Sequence, residues 1–271
     1  MMSTPKLETV KVRDGIEAKV LVAGEGKPLV YLHGAGGLQW DGYLDQLSQH
    51  YKVYAPYHIG TGGSVGKDEV RDWWDLVLYY YELFDALGLE TVDVIGHSFG
   101  GMVAAELAST NPDRVKNLVL VCAAGLWIDE TPVKDVFTML NTPDVLFQHL
   151  FANLNSPAAQ AFANAMPEER EAQIEFVVAQ NTAAAEAAKF MWGIPDKGLS
   201  RRIHRVTANS CIIWGEKDAL IPVDYAYEFH KKLPGSKVAI MENSGHYPQA
   251  EELEGVVTAT LEFLQAAPVT K

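Results

Sequence analysis

The feature that most limits what this chain can become is an alternation. Short apolar runs rich in branched residues take turns with stretches of helical pattern almost from end to end. "LETVKV" and "IEAKVLVAG", parted by Asp14-Gly15, read as a β-hairpin. "PLVYLHG", "YKVYAP", "TVDVIG", "NLVLVCAA", "SCIIWGE" and "SKVAIME" read as further strands. Between them fall helical patterns such as "WDGYLDQLSQ", "GGMVAAELAST", "VDYAYEFHKKL" and "EELEGVVTATLEFLQ". From Asp68 to Leu87, the residues Trp73, Val77, Tyr80, Phe84 and Leu87 recur at steps of four, three, four and three, which is one face of a helix, and Gly88 fits its stop. Strands joined by helices run parallel and are covered on both faces. The expectation is an α/β fold: a mostly parallel eight-stranded sheet with helices on both sides.

One block breaks the alternation. After Gly125 the strand signals stop, and residues 126–196 are helical in pattern, with "NTAAAEAAKF" and breaks at Pro143, Pro157 and Pro167. Strands then resume. The block reads as a helical cap inserted into a core made of residues 1–125 and 197–271. Ligands of such sheets bind beyond the carboxyl ends of the strands, so the chemistry belongs in the loops that follow them.

Composition removes several function classes. The net charge of −13 and the lack of clustered lysine and arginine exclude nucleic acid as a partner. No run approaches the roughly 20 apolar residues of a membrane span, and "MMSTPKLETVKVRDG" has no secretory pattern. Cys122 and Cys211 both sit in strand-like runs and read as buried free thiols, so a cytoplasmic protein is expected. "GTGGSVG" fails the dinucleotide fingerprint because Val65 stands at the third glycine position, and no phosphate loop occurs. The eight histidines are scattered, with no H-E-x-x-H and no paired C-x-x-C. No metal and no cofactor is expected, and the partner is a small molecule.

The strand-end loops carry "HGAGG", "GHSFGG", "GEKD" and "NSGHYP", and with them Ser98, Asp218 and His246. A serine hydroxyl attacks only if a base removes its proton. Imidazole suits that task, and a carboxylate fixes its tautomer and stabilises the imidazolium that forms. Ser98 is then the nucleophile, His246 the base and Asp218 the carboxylate, with Glu216 and Asp224 as competitors for the last role. Gly96 and Gly100 let strand and helix pass close to the sharp turn at Ser98, and the backbone N–H of Phe99 is an oxyanion donor. His33 and His97 read as bracing residues.

Four such motifs in this order resemble the α/β-hydrolase superfamily, from "PLVYLHGAGG" to "SGHYP". The resemblance implies that the second oxyanion donor is the residue after "HG", Ala35. The cap would shape an apolar cleft, with Trp127 and Trp192 at its junctions and Leu220 and Tyr247 beside the acid and base as candidate substrate contacts. Two departures stand out. Relatives that hydrolyse carbon–carbon bonds of ring-fission products usually carry asparagine before the nucleophile and a cap arginine; this chain has His97, and Arg170 lies in a solvated "PEEREAQ". This favours carboxylic esters, or lactones, over carbon–carbon cleavage. Tyr57 also replaces the aspartate of the common D-x-x-G-x-G-x-S pattern, which leaves the bracing of that loop and the role of His58 open. A small-molecule receptor on the same fold is the alternative from another class.

Overall fold

The computed structural model describes residues 4–266. Among them, eight strands form a single sheet: β1 (Lys6–Arg13), β2 (Ile16–Ala23), β3 (Pro28–Leu32), β4 (Lys52–Pro56), β5 (Val92–His97), β6 (Val115–Val121), β7 (Asn209–Gly215) and β8 (Lys237–Met241). The order is β1-β2-β4-β3-β5-β6-β7-β8. The first hairpin and the β2–β4 pair are antiparallel; every other neighbour is parallel.

Side chains of the central strands alternate between two cores, as the period of two demands. Val30, Leu32, Val94, Leu118, Leu120, Ile212 and Trp214 face one core. Leu29, Tyr31, Ile95, Val119, Val121, Cys211 and Ile213 face the other. Helices α1 (Gly42–Ser48), α2 (Trp73–Ala86) and α3 (Phe99–Thr110) follow β3, β4 and β5. The helices α2 and α3 cover the first face and α1 the second. Helix α2 starts at Trp73 rather than Asp68, because the Asp72 carboxylate caps it by accepting from the Trp74 and Asp75 N–H groups.

Between β6 and β7 lies the helical segment: α4 (Pro143–Leu150), α5 (Pro157–Ala163) and α6 (Arg170–Met191). The breaks fall at Pro143 and Pro157 as expected, and each proline opens the helix that follows, since proline at the first helical position gives up an N–H that has no partner there. Residues 126–135 form no helix. After it come α7 (Leu199–Arg202), α8 (Asp224–Lys232), α9 (Pro248–Glu251) and α10 (Leu253–Gln265). Helix α8 packs Tyr225 and Phe229 into the first core, and α10 packs Val256, Phe263 and Leu264 into the second. Among the described residues, no helix is long and apolar enough to cross a membrane.

Strand β3 has β4 on one side and β5 on the other. The chain therefore leaves β3 in one direction and returns on the far side, a switch point where the loops after neighbouring strands diverge and open a crevice. The loops of His33 and Ser98 flank it.

Candidate active site

Ser98 joins β5 to α3 with φ 53° and ψ −116°. Among the described residues, only Ser98 and Cys122 combine a positive φ with a side chain. Such backbone costs about 1–3 kcal/mol and persists only where neighbours impose it. They do here: the Ser98 N–H donates to the Val121 carbonyl at 3.0 Å, and its carbonyl accepts from Met102 at 3.1 Å and Ala124 at 3.0 Å. A side chain at position 100 would run into the Leu32 backbone, and one at 96 into Gly100, which explains both glycines. The Ser98 hydroxyl makes no cap to its own helix and lines a cavity.

Asp218 and His246 meet. The His246 Nδ1–H donates to Asp218 Oδ2 at 2.8 Å, and the two side chains are 2% and 0% exposed. The other carboxylate oxygen accepts from the Leu220 N–H at 2.9 Å and the Ile221 N–H at 2.8 Å. This leaves His246 Nε2 as the bare acceptor of the ring, in a residue that lines the same cavity as Ser98. Glu216 is exposed, and Asp224 is the first residue of α8, as its position after Pro222 suggests. Asp218 is thus the carboxylate that holds the imidazole.

The loop of His246 is tied down from several sides. Its own N–H donates to the Leu150 carbonyl at 2.8 Å, and the Lys217 N–H reaches the Ser244 carbonyl at 3.0 Å. The Glu251 carboxylate accepts from Gly245 N–H at 2.7 Å and from Ala152 N–H at 3.0 Å, so one side chain fastens this loop to the helical segment. Nothing in the sequence marked Glu251, because a carboxylate serving backbone donors from two distant stretches has no spacing rule.

Behind the site stand three buried histidines. The His97 Nε2–H donates to the His246 carbonyl at 2.9 Å, and burial pushes its pKa down to about 3. The His33 Nδ1–H donates to the Gly34 carbonyl at 2.7 Å while Nε2 accepts from His58 N–H at 3.1 Å. The His58 Nε2–H donates to the His33 carbonyl at 2.8 Å, Nδ1 accepts from Tyr80 O–H, and burial lowers its pKa to about 4. This neutral network, with Thr61 Oγ1 donating to the His58 carbonyl and Ser64 Oγ accepting from Lys19 N–H, braces the loop in which Tyr57 replaces an aspartate. Ligating atoms of Cys122, Asp218 and His246 lie within 4.8 Å of one another. Burial and then the nearby Asp218 hold the thiol well above its ordinary pKa, so it stays protonated.

The cavity at Ser98 measures about 440 Å³. Gly34, Ala35, Gly36, Ser98 and His246 line its sheet side. The helical segment supplies Phe137, Leu146, Phe147, Phe162, Val177 and Met191, with Gln180 and Asn181 as polar neighbours and Lys134 as the one basic residue of the lining. Leu220 and Tyr247 lie on it; Trp127 and Trp192 do not. The Trp127 indole N–H donates to Asp129, and that of Trp192, which is 66% exposed, to Asp135 on the outer surface. Met191 lines the cavity, and a step of one residue along a helix turns the next side chain by about 100°, out towards solvent. Phe147, Phe151, Phe162 and Tyr247 pack as an aromatic cluster that joins segment and His246 loop.

Residues 27–253 match the pattern of the alpha/beta hydrolase fold family. An uncharacterized protein of Mycobacterium tuberculosis is 30% identical in an alignment of 253 positions that covers 84% of this chain and 72% of that one. A 2-hydroxy-6-oxo-2,4-heptadienoate hydrolase of Pseudomonas putida is 24% identical over 93% of this chain and 94% of its own. The crystal structure of a membrane phospholipase A, a bacterial virulence factor, superposes with a TM-score of 0.78 at 22% identity, over 96% of this chain and 86% of that one. The chain belongs to the alpha/beta hydrolase fold family.

Proposed function

We propose that the protein is a serine hydrolase that cleaves carboxylic esters of medium-sized apolar substrates through an acyl-enzyme. The observation that carries this reading is the 2.8 Å bond from His246 Nδ1–H to Asp218, which leaves Nε2 bare beside a cavity shared with the strained Ser98. His246 takes the Ser98 proton as Oγ attacks the ester carbonyl; Asp218 holds the ring and stabilises the imidazolium. Charge developing on the carbonyl oxygen is met by the N–H groups of Phe99, at the first turn of α3, and Ala35. His246 then protonates the departing alcohol, and water repeats the sequence on the acyl-enzyme.

The helical segment serves as a cap over the strand ends, and its phenylalanines and leucines favour an apolar acyl or alcohol group. A panel of p-nitrophenyl esters tests the reading. Turnover is expected for acyl groups of intermediate length, and Ser98→Ala should reduce it by about 10⁴-fold or more without loss of fold. A Ser98→Ala protein that keeps near wild-type activity would move the nucleophile elsewhere, and a purified protein that binds ligands without any release would favour the receptor reading.

A second reading has its own support. Lys134 is a cation on the cavity wall, suited to an anionic dienoate, and the Pseudomonas putida relative is a dienoate hydrolase. Loss of the dienoate chromophore at a rate exceeding that of ester turnover would establish carbon–carbon cleavage instead.

A further inference from the structure

A second cavity, of about 320 Å³, lies against the first. The two share Gly34, Gly36, Phe162 and Tyr247, so a partition of two glycines and two aromatic rings is what divides them. Their chemistry differs. Where the first is walled by phenylalanine, leucine, valine and methionine, the second holds Asp41, Gln39, Gln249, His33 and His97.

One of these groups needs a donor that the protein does not provide. Gln249 is 3% exposed, and its Oε1 has no hydrogen-bond partner among the described residues. The Asp41 carboxylate caps α1 through Leu44 N–H at 3.0 Å, and burial pushes its pKa up to about 6. A buried amide oxygen of this kind, on the wall of a space with room for several molecules of about 30 Å³ each and with Asp41 and Gln39 on the same wall, is satisfied by water. The cavity also reaches close to the base. His97 lines it, and the His97 and His246 rings lie 5.1 Å apart, centroid to centroid. The Tyr247 ring stands 4.8 Å from that of His97.

Hydrolysis needs one water for every acyl-enzyme. Its oxygen bonds to the acyl carbon while His246 Nε2 takes its proton. The bond from that carbon to Ser98 Oγ then breaks, and the proton passes from the ring to Oγ, releasing the carboxylic acid. At that stage an apolar acyl group fills the first cavity, and the surface that binds it is the one that excludes water. We infer that the second cavity is a water-binding site that supplies the deacylating water through the partition formed by Gly34, Gly36 and Tyr247. This inference rests on the ester-hydrolase reading above.

Two variants test it from the far walls, Ala158→Leu, which fills the cavity, and Gln249→Leu, which removes its amide; both residues line the second cavity and not the first. With a p-nitrophenyl ester, the rate constant for acylation should stay within about twofold of wild type, while the lifetime of the acyl-enzyme, followed as a mass adduct in quenched samples, lengthens at least fivefold. Unchanged lifetimes in the folded variants, or acylation and deacylation slowed together, would overturn the inference while leaving the hydrolase reading intact. A wild-type protein that releases no p-nitrophenol and forms no acyl adduct would fail the hydrolase reading and the inference with it. A crystal structure of the wild type supplies a measurement independent of either variant's folding: ordered waters bridging Asp41 and Gln249 are expected, and a dry cavity would overturn the inference.

Discussion

The strand-end loops and the helical segment between β6 and β7 line one cavity but are built by opposite rules. In the loops nearly every polar atom is committed. Asp218 accepts three N–H groups, Ser98 is held by three backbone bonds, His33 and His58 use both ring nitrogens, and His97 donates to the His246 carbonyl. The segment faces the cavity with apolar side chains, while Met166, Ile174 and Val178 stand exposed on it. Position matters to within fractions of an ångström where a proton moves, so the sheet fixes those groups with directional bonds. Selection of an apolar ligand needs only area and shape, which non-directional packing provides. On this division, changes in the loops act on the rate of chemistry, and changes in the segment act on which substrate is taken.

The largest effect that would break this division comes from Asp218→Asn. An amide in place of the carboxylate favours the wrong imidazole tautomer, and kcat should fall by about 10³- to 10⁴-fold with KM little changed. A loss below tenfold would show that another group orients His246. Next in size is Glu251→Ala, which leaves the Gly245 and Ala152 N–H groups without their acceptor. A loss of about 2–4 kcal/mol is expected by denaturant unfolding, since each stranded donor costs roughly 1–3 kcal/mol. A stability within 0.5 kcal/mol or so of wild type, near the noise of surface changes, would mean that the loop and the segment are not coupled through this side chain.

Phe147→Ala sharpens the other half of the comparison. Removing one apolar wall should raise KM for long-chain esters, with a loss of about 1–3 kcal/mol in kcat/KM and little change for acetate esters. Equal losses for both chain lengths would place Phe147 in the chemistry rather than in selection. The mildest effect is one of pH. His97 and His58 are neutral when folded, with pKa values pushed to about 3 and 4, whereas in the unfolded chain they take up protons near pH 6.5. Their contribution is intact above about pH 6.5 and is lost as pH falls towards 4, because the unfolded state binds the extra protons. Burial holds His33 well below its ordinary value in the same way. Asp41, raised to about 6, works the other way between about pH 4 and 6, and as one group against three it reduces the loss without reversing it. Tm should therefore decline between pH 7 and 4.5; a Tm that rises over this range would contradict the assignment.

The same division explains what was legible in the amino-acid sequence. Alternation of strand and helix gave the parallel sheet, because a period of two and a period near 3.6 are local signals that the core enforces. Ser98, Asp218 and His246 stand out as candidates because each lies in a loop that follows a strand of that sheet, next to β5 for Ser98 and within a few residues of β7 and β8 for the other two. The inner wall of the helical segment was not legible. Trp127 and Trp192 turn their indole N–H groups to surface carboxylates, and which side of a short irregular stretch faces inward depends on packing that no spacing encodes. The prolines of the segment do mark breaks between its helices, and Pro143 and Pro157 also open the helix that follows, since proline both ends one helix and starts the next.

The pinning of the helical segment also decides how it moves. Near one end, Leu150 and Ala152 are bound to the His246 loop; near the other, Glu186 bridges Lys67 at 2.7 Å and Lys189 donates to the Val70 carbonyl at 2.6 Å. A strip held at both ends does not swing open like a door; it bows in the middle. Between these ties, residues 154–185 make hydrogen bonds only within the segment among the described residues, and Met166, which lines the cavity and stands half-exposed, belongs to that stretch.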